Sequence, residues 1–191
     1  AAAGTSFIYD ISTVDGNIIY LTNLDGILKK TINGGNSFET INTNTFLERI
    51  QFINEQVGYG SSFSLNKTID GGVTWTEICP IDTYPGIGAF FFLNEQVGFV
   101  NTIASLTRTT DGGQNFTYLD TVDYDMFKLF APTENIIWGV TETVVFGSPT
   151  YKTMRGEISS QGDFERIDGE PTFKSIYFAN ETLGYAIAGE R

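Results

Sequence analysis

The chain has 191 residues, no histidine, one cysteine and a formal net charge of −12. Without histidine, Ser-His-Asp, Cys-His and histidine-based zinc chemistry are excluded within these residues. The acidic surplus also excludes nucleic-acid binding, which needs a basic footprint, and disfavours anionic membrane surfaces.

Gly is 21 of 191 residues and aromatics make up 14%, with strand-forming runs separated by short Gly/Asn/Asp/Thr turns, which predicts an all-β protein. No stretch has the length of a membrane-spanning helix, so direct membrane insertion is not expected. Cys79 stands alone and forms no internal disulfide.

In chain order, residues 7–41 contain NIIYLTN around Tyr20 and then KKTINGGNSF from Lys29 to Phe38. Residues 46–79 divide into LERIQFI, QVGYGSS, LNKTID and WTEICP, four short strands, and carry QFINEQVGYG followed by NKTIDGGVTW. Residues 87–120 repeat the pair as FFLNEQVGFV and TRTTDGGQNF. Residues 126–168 hold ENIIWGVTE, then YKTMRGEISSQGDF, which lacks the glycine pair and predicts an elongated or irregular turn. Residues 172–191 supply TFKSIYFA and LGYAIAGE, half of one more repeat.

Tyr20, Tyr59, Phe99, Trp138 and Tyr185 thus recur at steps of 39, 40, 39 and 47 residues, the mark of a repeat architecture. Four short strands per repeat predict a β-propeller of four-stranded antiparallel blades, with about four and a half blades visible. The half blade would leave a free sheet edge, so the expectation is one propeller that is part of a larger ring. Ile50, Phe52, Val57 and Tyr59 are expected to pack between blades. Phe92, Phe99, Trp138, Phe178 and Tyr185 are assigned to the core with them.

The repeated turn has a mechanical reading. An Asp side chain accepts bonds from amides ahead of it, and two glycines permit positive φ. The pattern T-x-D-G-G-x-[ST]-[WF] resembles the Asp-box, or BNR repeat, of sialidases, sortilin-type receptors and xyloglucan-degrading enzymes. Coupled to F-x-N-E-x-x-G-aromatic, it is most similar to photosystem II assembly-factor-like proteins. The resemblance implies structural roles for Asn33, Gly34, Gly35 and Phe38, for Asp70, Gly71, Gly72 and Trp75, and for Asp111, Gly112, Gly113 and Phe116. The aromatic of each set is expected to fold back over its turn.

Sialidase chemistry needs three arginines converging on a carboxylate. Only Arg49, Arg108, Arg155, Arg166 and Arg191 exist, and no Arg-Ile-Pro-like motif precedes the first repeat. No catalytic residue, cofactor or metal is therefore assigned. Asp120, Asp123 and Asp125 around Tyr124 are weak Ca²⁺ candidates, since they lack the Gly and Glu positions of a calcium loop. The blade-connecting face carries the candidate binding residues Asp82, Tyr84 and Tyr124, aromatics that suit a protein partner or a sugar ring. The expected function is a non-enzymatic scaffold for protein interaction or assembly. The alternative is a carbohydrate-binding or glycoside-hydrolase propeller with catalytic groups outside the chain. An extracytoplasmic location follows from the families the repeat resembles.

Overall fold

Short apolar-rich runs punctuated by Asn, Asp and Gly fold as antiparallel strands in every described part of the chain. The computed structural model describes residues 7–23, 26–78, 86–102, 105–121, 126–145, 148–167, 172–180 and 182–188, with the backbone alone for 142–145, 148–150 and 166. Two compact units divide at residues 82 and 83.

The first unit holds two four-stranded meanders. One runs β1 (Ile8–Thr13), β2 (Ile19–Asn23), β3 (Ile27–Thr31) and β4 (Glu39–Asn42). The next runs β5 (Arg49–Phe52), β6 (Gly58–Ser61), β7 (Leu65–Thr68) and β8 (Thr76–Glu77). Each strand pairs with its sequence neighbour, so each sheet is one blade. Between them lies a cluster of Tyr20, Leu28, Leu47, Ile50 and Phe52, with Val14, Ile18, Ile41 and Trp75 packed against it. The Tyr20 and Phe52 rings lie parallel, centroids 3.5 Å apart.

The second unit begins with β9 (Ile87–Phe92), β10 (Gly98–Thr102), β11 (Ser105–Thr109) and β12 (Thr117–Thr121). Its second blade is β13 (Met126–Thr133), β14 (Ile136–Val145), β15 (Ser148–Ile158) and β16 (Phe164–Ile167). A two-stranded sheet follows, β17 (Phe173–Phe178) with β18 (Gly184–Ala188). Phe99, Leu106, Met126, Ile137, Met154 and Ile158 centre the core of this unit. Phe178 meets Phe130 and Trp138 at 5.4 and 6.0 Å between ring centroids, and Phe130 meets Phe91, which packs against this core, at 4.3 Å.

Adjacent blades are also joined by side chains that receive amides of the following blade's first strand. Ile50 N–H donates to Asp10 Oδ2 at 2.9 Å and Phe52 N–H to Ser12 Oγ at 2.8 Å. Met126 N–H donates to Asn101 Oδ1 at 3.0 Å, and Phe173 N–H to Thr153 Oγ1 at 2.9 Å. An otherwise unpaired strand edge is thereby satisfied.

Two expectations need correction. The fourth repeat's turn is short: residues 159–163 link β15 to β16, against residues 32–38 between β3 and β4. Ser159 N–H donates to the Asp163 carbonyl at 2.8 Å, and the Ser159 hydroxyl receives the amides of Gln161 and Asp163. The added length lies instead in the β14–β15 ladder, from Ile136 opposite Glu157 to Val145 opposite Ser148. Tyr185 is not in the core. Phe52, Tyr59, Phe92 and Phe99 are buried, but Tyr185 is 60% exposed, because among the described residues β18 pairs only with β17.

Candidate functional site

Three repeated Gly-Gly turns, called boxes below for brevity, close the β3–β4, β7–β8 and β11–β12 hairpins. In the second, Thr68 Oγ1 donates to Asp70 Oδ1 at 2.8 Å and receives the Gly72 amide at 2.9 Å. Asp70 in turn receives the Thr74 amide at 2.9 Å and the Thr74 hydroxyl at 2.6 Å. Trp75 folds back, its Nε1–H donating to the Gly72 carbonyl at 3.0 Å. Asp111 repeats this with Thr109, Gln114 and Asn115, and Asn33 with Thr31 and Ser37. All six box glycines, Gly34, Gly35, Gly71, Gly72, Gly112 and Gly113, have positive φ. Phe38 lies beside Gly35, and Phe116, half-buried, immediately precedes β12.

The first glycine of each box reaches the other repeated motif. Gly34, Gly71 and Gly112 donate their amides to the carbonyls of Asn17, Gln56 and Gln96 at 3.0, 2.9 and 2.8 Å. Those carbonyls sit in turns built around Asp15, Asn54 and Asn94, whose side chains receive the amides two and three residues ahead. Both repeated motifs therefore occupy one end of each blade. Hydrogen bonds hold the box carboxylates below their ordinary range. For Asp111 the Asn115 side-chain amide is the main cause and the value falls to about 2; for Asp70 it is the Thr74 hydroxyl. Carboxylates stabilised in their charged form this way serve the turn.

The β2–β3 and β6–β7 hairpins and the blade-to-blade connection at residues 43–48 lie at the other end. Asp82, Tyr84, Asp123, Tyr124 and Asp125 fall outside the described residues. Asp120 sits in β12 opposite Leu106, half-buried. Among the described residues no group of three or more His, Cys, Asp or Glu side chains converges to hold a metal ion. Large apolar groups face water here instead. Phe63, at the β6–β7 tip, is 81% exposed and Phe7, before β1, is 79% exposed. Tyr9 meets Phe46 edge to face at 5.7 Å.

One recurring contact escaped the sequence reading. Lys30 lies over the Tyr20 ring, Lys67 over Tyr59, Arg108 over Phe99 and Arg155 over Trp138, at 5.5, 5.3, 5.9 and 5.7 Å from the ring centroids. Each cation is the direct cross-strand partner of its ring, on the third and second strands of one blade. In the first three blades the third strand reads Leu-X-(Lys/Arg)-Thr, as LKKT, LNKT and LTRT, ending on the box threonine. The signal was present in the K-T and R-T preceding each box, but its meaning depends on the strand register.

The acidic residue of the following blade's first turn completes the contact. Lys30 Nζ lies 3.0 Å from Glu55 Oε1 and Arg108 Nη2 3.0 Å from Glu134 Oε2. Burial opposes the charge of Lys30, but its bonds to Glu55 and Tyr20 outweigh this and raise its pKa. Burial raises the Tyr20 phenol, which donates to the Glu55 carbonyl at 2.9 Å. Arg108 and Arg155 thus serve blade packing. Tyr185, Tyr177 and Ile187 form an exposed apolar face on β17 and β18, each at least 60% exposed.

No family model and no curated protein matches the chain. Solved structures do. A YCF48 described as bound to D1 peptide aligns with a TM-score of 0.59 and 15% identity over 96% of this chain and 76% of that one. YCF48 from Cyanidioschyzon merolae aligns with a TM-score of 0.63 and 16% identity over 93% of this chain and 62% of that one. The GH74 xyloglucanase of Xanthomonas campestris gives 0.66 and 12%, over 90% of this chain and 33% of that one. Antiparallel blades that follow one another in chain order, and likeness to propellers of such different kinds, establish this chain as an all-β protein with the β-propeller fold.

Proposed function

We propose that the chain is a non-enzymatic, protein-binding propeller scaffold that works in an extracytoplasmic assembly. The observation that carries this reading is the exposure of Phe63 at a hairpin tip, at the blade end opposite the boxes. A rigid aromatic on a short hairpin is a preorganised anchor, since little conformational freedom is lost when a partner covers it. The extracytoplasmic setting rests on the families that the repeat resembles. A related fold, YCF48, is known with a peptide bound, which supports the protein-partner class over others.

Peptide arrays and a panel of xyloglucan and sialylated oligosaccharides, probed with the same purified chain, test the proposal. Saturable peptide binding that weakens at least tenfold in Phe63→Ser supports it, tenfold being the size of loss expected for an aromatic hot spot, about 1.4 kcal/mol or more. Binding to glycans alone, or hydrolysis of any of them, overturns it in favour of the carbohydrate-active reading.

A further inference from the structure

The boxes of the first two blades carry large apolar side chains that the turn itself does not require. Ile32 and Ile69, each directly after the box threonine, are 64% and 71% exposed, and Val73, after the second glycine pair, is 57% exposed. The third box has Thr110 and Gln114 where the second has Ile69 and Val73, both of them exposed. It closes all the same, with Thr109 Oγ1 and the Asn115 amide each donating to Asp111 Oδ1 at 2.9 Å. Polar residues therefore serve the turn equally well, and three aliphatic groups left in water on neighbouring turns call for another use. A Cβ at Gly71 would lie 3.8 Å from Tyr20 Oη and 4.0 Å from Lys30 Nζ, so the second box abuts the end of β3, and Ile32 is the first residue beyond that strand. The loops at this end of the two blades, residues 14–18, 32–38, 53–57 and 69–75, hold Asp15, Glu55 and Asp70 and no lysine or arginine. Lys30, which binds Glu55, has a side chain only 11% exposed.

We propose that the box end of the first two blades is a second docking surface, for a segment of a partner polypeptide that presents aliphatic side chains flanked by Lys or Arg. It goes beyond the protein-binding reading above, whose anchor Phe63 lies at the opposite blade end, and makes the scaffold a bridge between two partners. Covering Ile32, Ile69 and Val73 supplies affinity, since each gives up apolar surface that now faces water. The carboxylates of Asp15, Glu55 and Asp70 choose the sign of the partner. A second copy of this chain, with net charge −12, is repelled by the same carboxylates, as is an anionic lipid surface.

The test uses the full chain and three short synthetic peptides of one length, alternating Leu with Lys, Leu with Glu and Ser with Lys. Binding is followed by calorimetry at low and high salt, in the wild type and in a double variant, Ile69→Thr with Val73→Gln. That variant gives the second box the residues the third box already accommodates, so the turn is kept. Saturable binding of the Leu-Lys peptide that weakens with salt is expected, with affinity at least about tenfold lower for the other two peptides. The double variant should lose at least about tenfold and Phe63→Ser should retain binding. Equal affinity for the three peptides, no effect of the double variant, or no binding overturns the proposal. A dimer that the double variant dissociates overturns it in favour of a second copy, and binding to phosphatidylserine vesicles that the double variant abolishes overturns it in favour of a membrane. Leu-Lys binding that depends on Phe63 and not on Ile69 and Val73 overturns this inference and leaves the scaffold reading standing. Absence of any polypeptide binding overturns both.

Discussion

Gly72 of the second box rests against Leu28 of the preceding blade, so closely that a Cβ at position 72 would lie 2.3 Å from Leu28 Cδ2. Its φ is 93°. Gly35 has nearly the same backbone, φ 89°, but its nearest neighbours are ring atoms of Phe38 at 3.9 Å. Gly35→Ala should therefore cost the backbone strain alone, about 1–3 kcal/mol. Gly72→Ala should add an overpacking cost of about 1–3 kcal/mol, because Leu28 is fully buried against it. Chemical denaturation of the two variants side by side checks this; equal losses would show that the blade junction does not depend on that contact.

Acid should loosen the boxes in a defined window. The folded-state pKa of Asp111 is depressed to about 2 from 3.8, so its contribution is fully present above the unfolded value and is lost as pH falls from about 4 towards 2. Asp70 is shifted in the same direction and adds to the effect. Asp111→Asn should flatten the acid limb of the stability profile over this window while leaving stability near pH 7 closer to wild type. Asn33 already occupies the equivalent position in the first box and keeps the bond to the Ser37 amide at 3.0 Å.

At the alkaline end, both Tyr20 and Lys30 have raised pKa values, so each contributes stability that is complete below its unfolded value and is lost as pH rises through the folded one. Stability should begin to fall above about pH 10. Ultraviolet titration of the nine tyrosines should show a late-titrating component that disappears in Tyr20→Phe. The variant also removes the bond to the Glu55 carbonyl, which should cost about 1 kcal/mol. An unchanged titration curve in Tyr20→Phe would refute the assignment.

Ser12→Ala should be more damaging than an 8% exposed serine at a strand end suggests, because it strips the only described acceptor from the Phe52 amide. The expected loss is about 1–3 kcal/mol. Faster hydrogen exchange at the Phe52 amide should accompany it, with β2 and β3 keeping their protection.

Much of the fold was legible because its punctuation is written in residue types. Asn54 and Asn94 announce one turn, and Asp70 and Asp111 with their glycines announce another, each by chemistry that stays within a few residues. What was not legible depends on register. Lys67 reaches the Tyr59 ring only because the turns on either side set them opposite each other. The same holds for Glu55, whose partner Lys30 lies on the preceding blade. Tyr185 was misplaced because position in the repeat gives the direction a side chain faces, and what covers it comes from the neighbouring strand. In the fourth blade Gly156 stands opposite Ile137, where the box threonine would be, and the Phe164 ring occupies the space a Cβ would need. A loss of hydroxyl chemistry was there exchanged for an aromatic contact. The candidate binding loop residues Asp82, Tyr84 and Tyr124 lie outside the described residues, so their placement remains an expectation of the sequence.

The side chains that join one blade to the next, Asp10, Ser12, Asn101 and Thr153, all address main-chain amides of the receiving strand. An amide looks the same whichever residue bears it. Substitutions in the receiving strand therefore need not disturb these bonds, because the donor belongs to the main chain whatever side chain the strand carries. Inner strands as different as RIQF, MFKLFAPT and FKSIYF are each held through their amides, by acceptors on the first, second and third strands of the blade before.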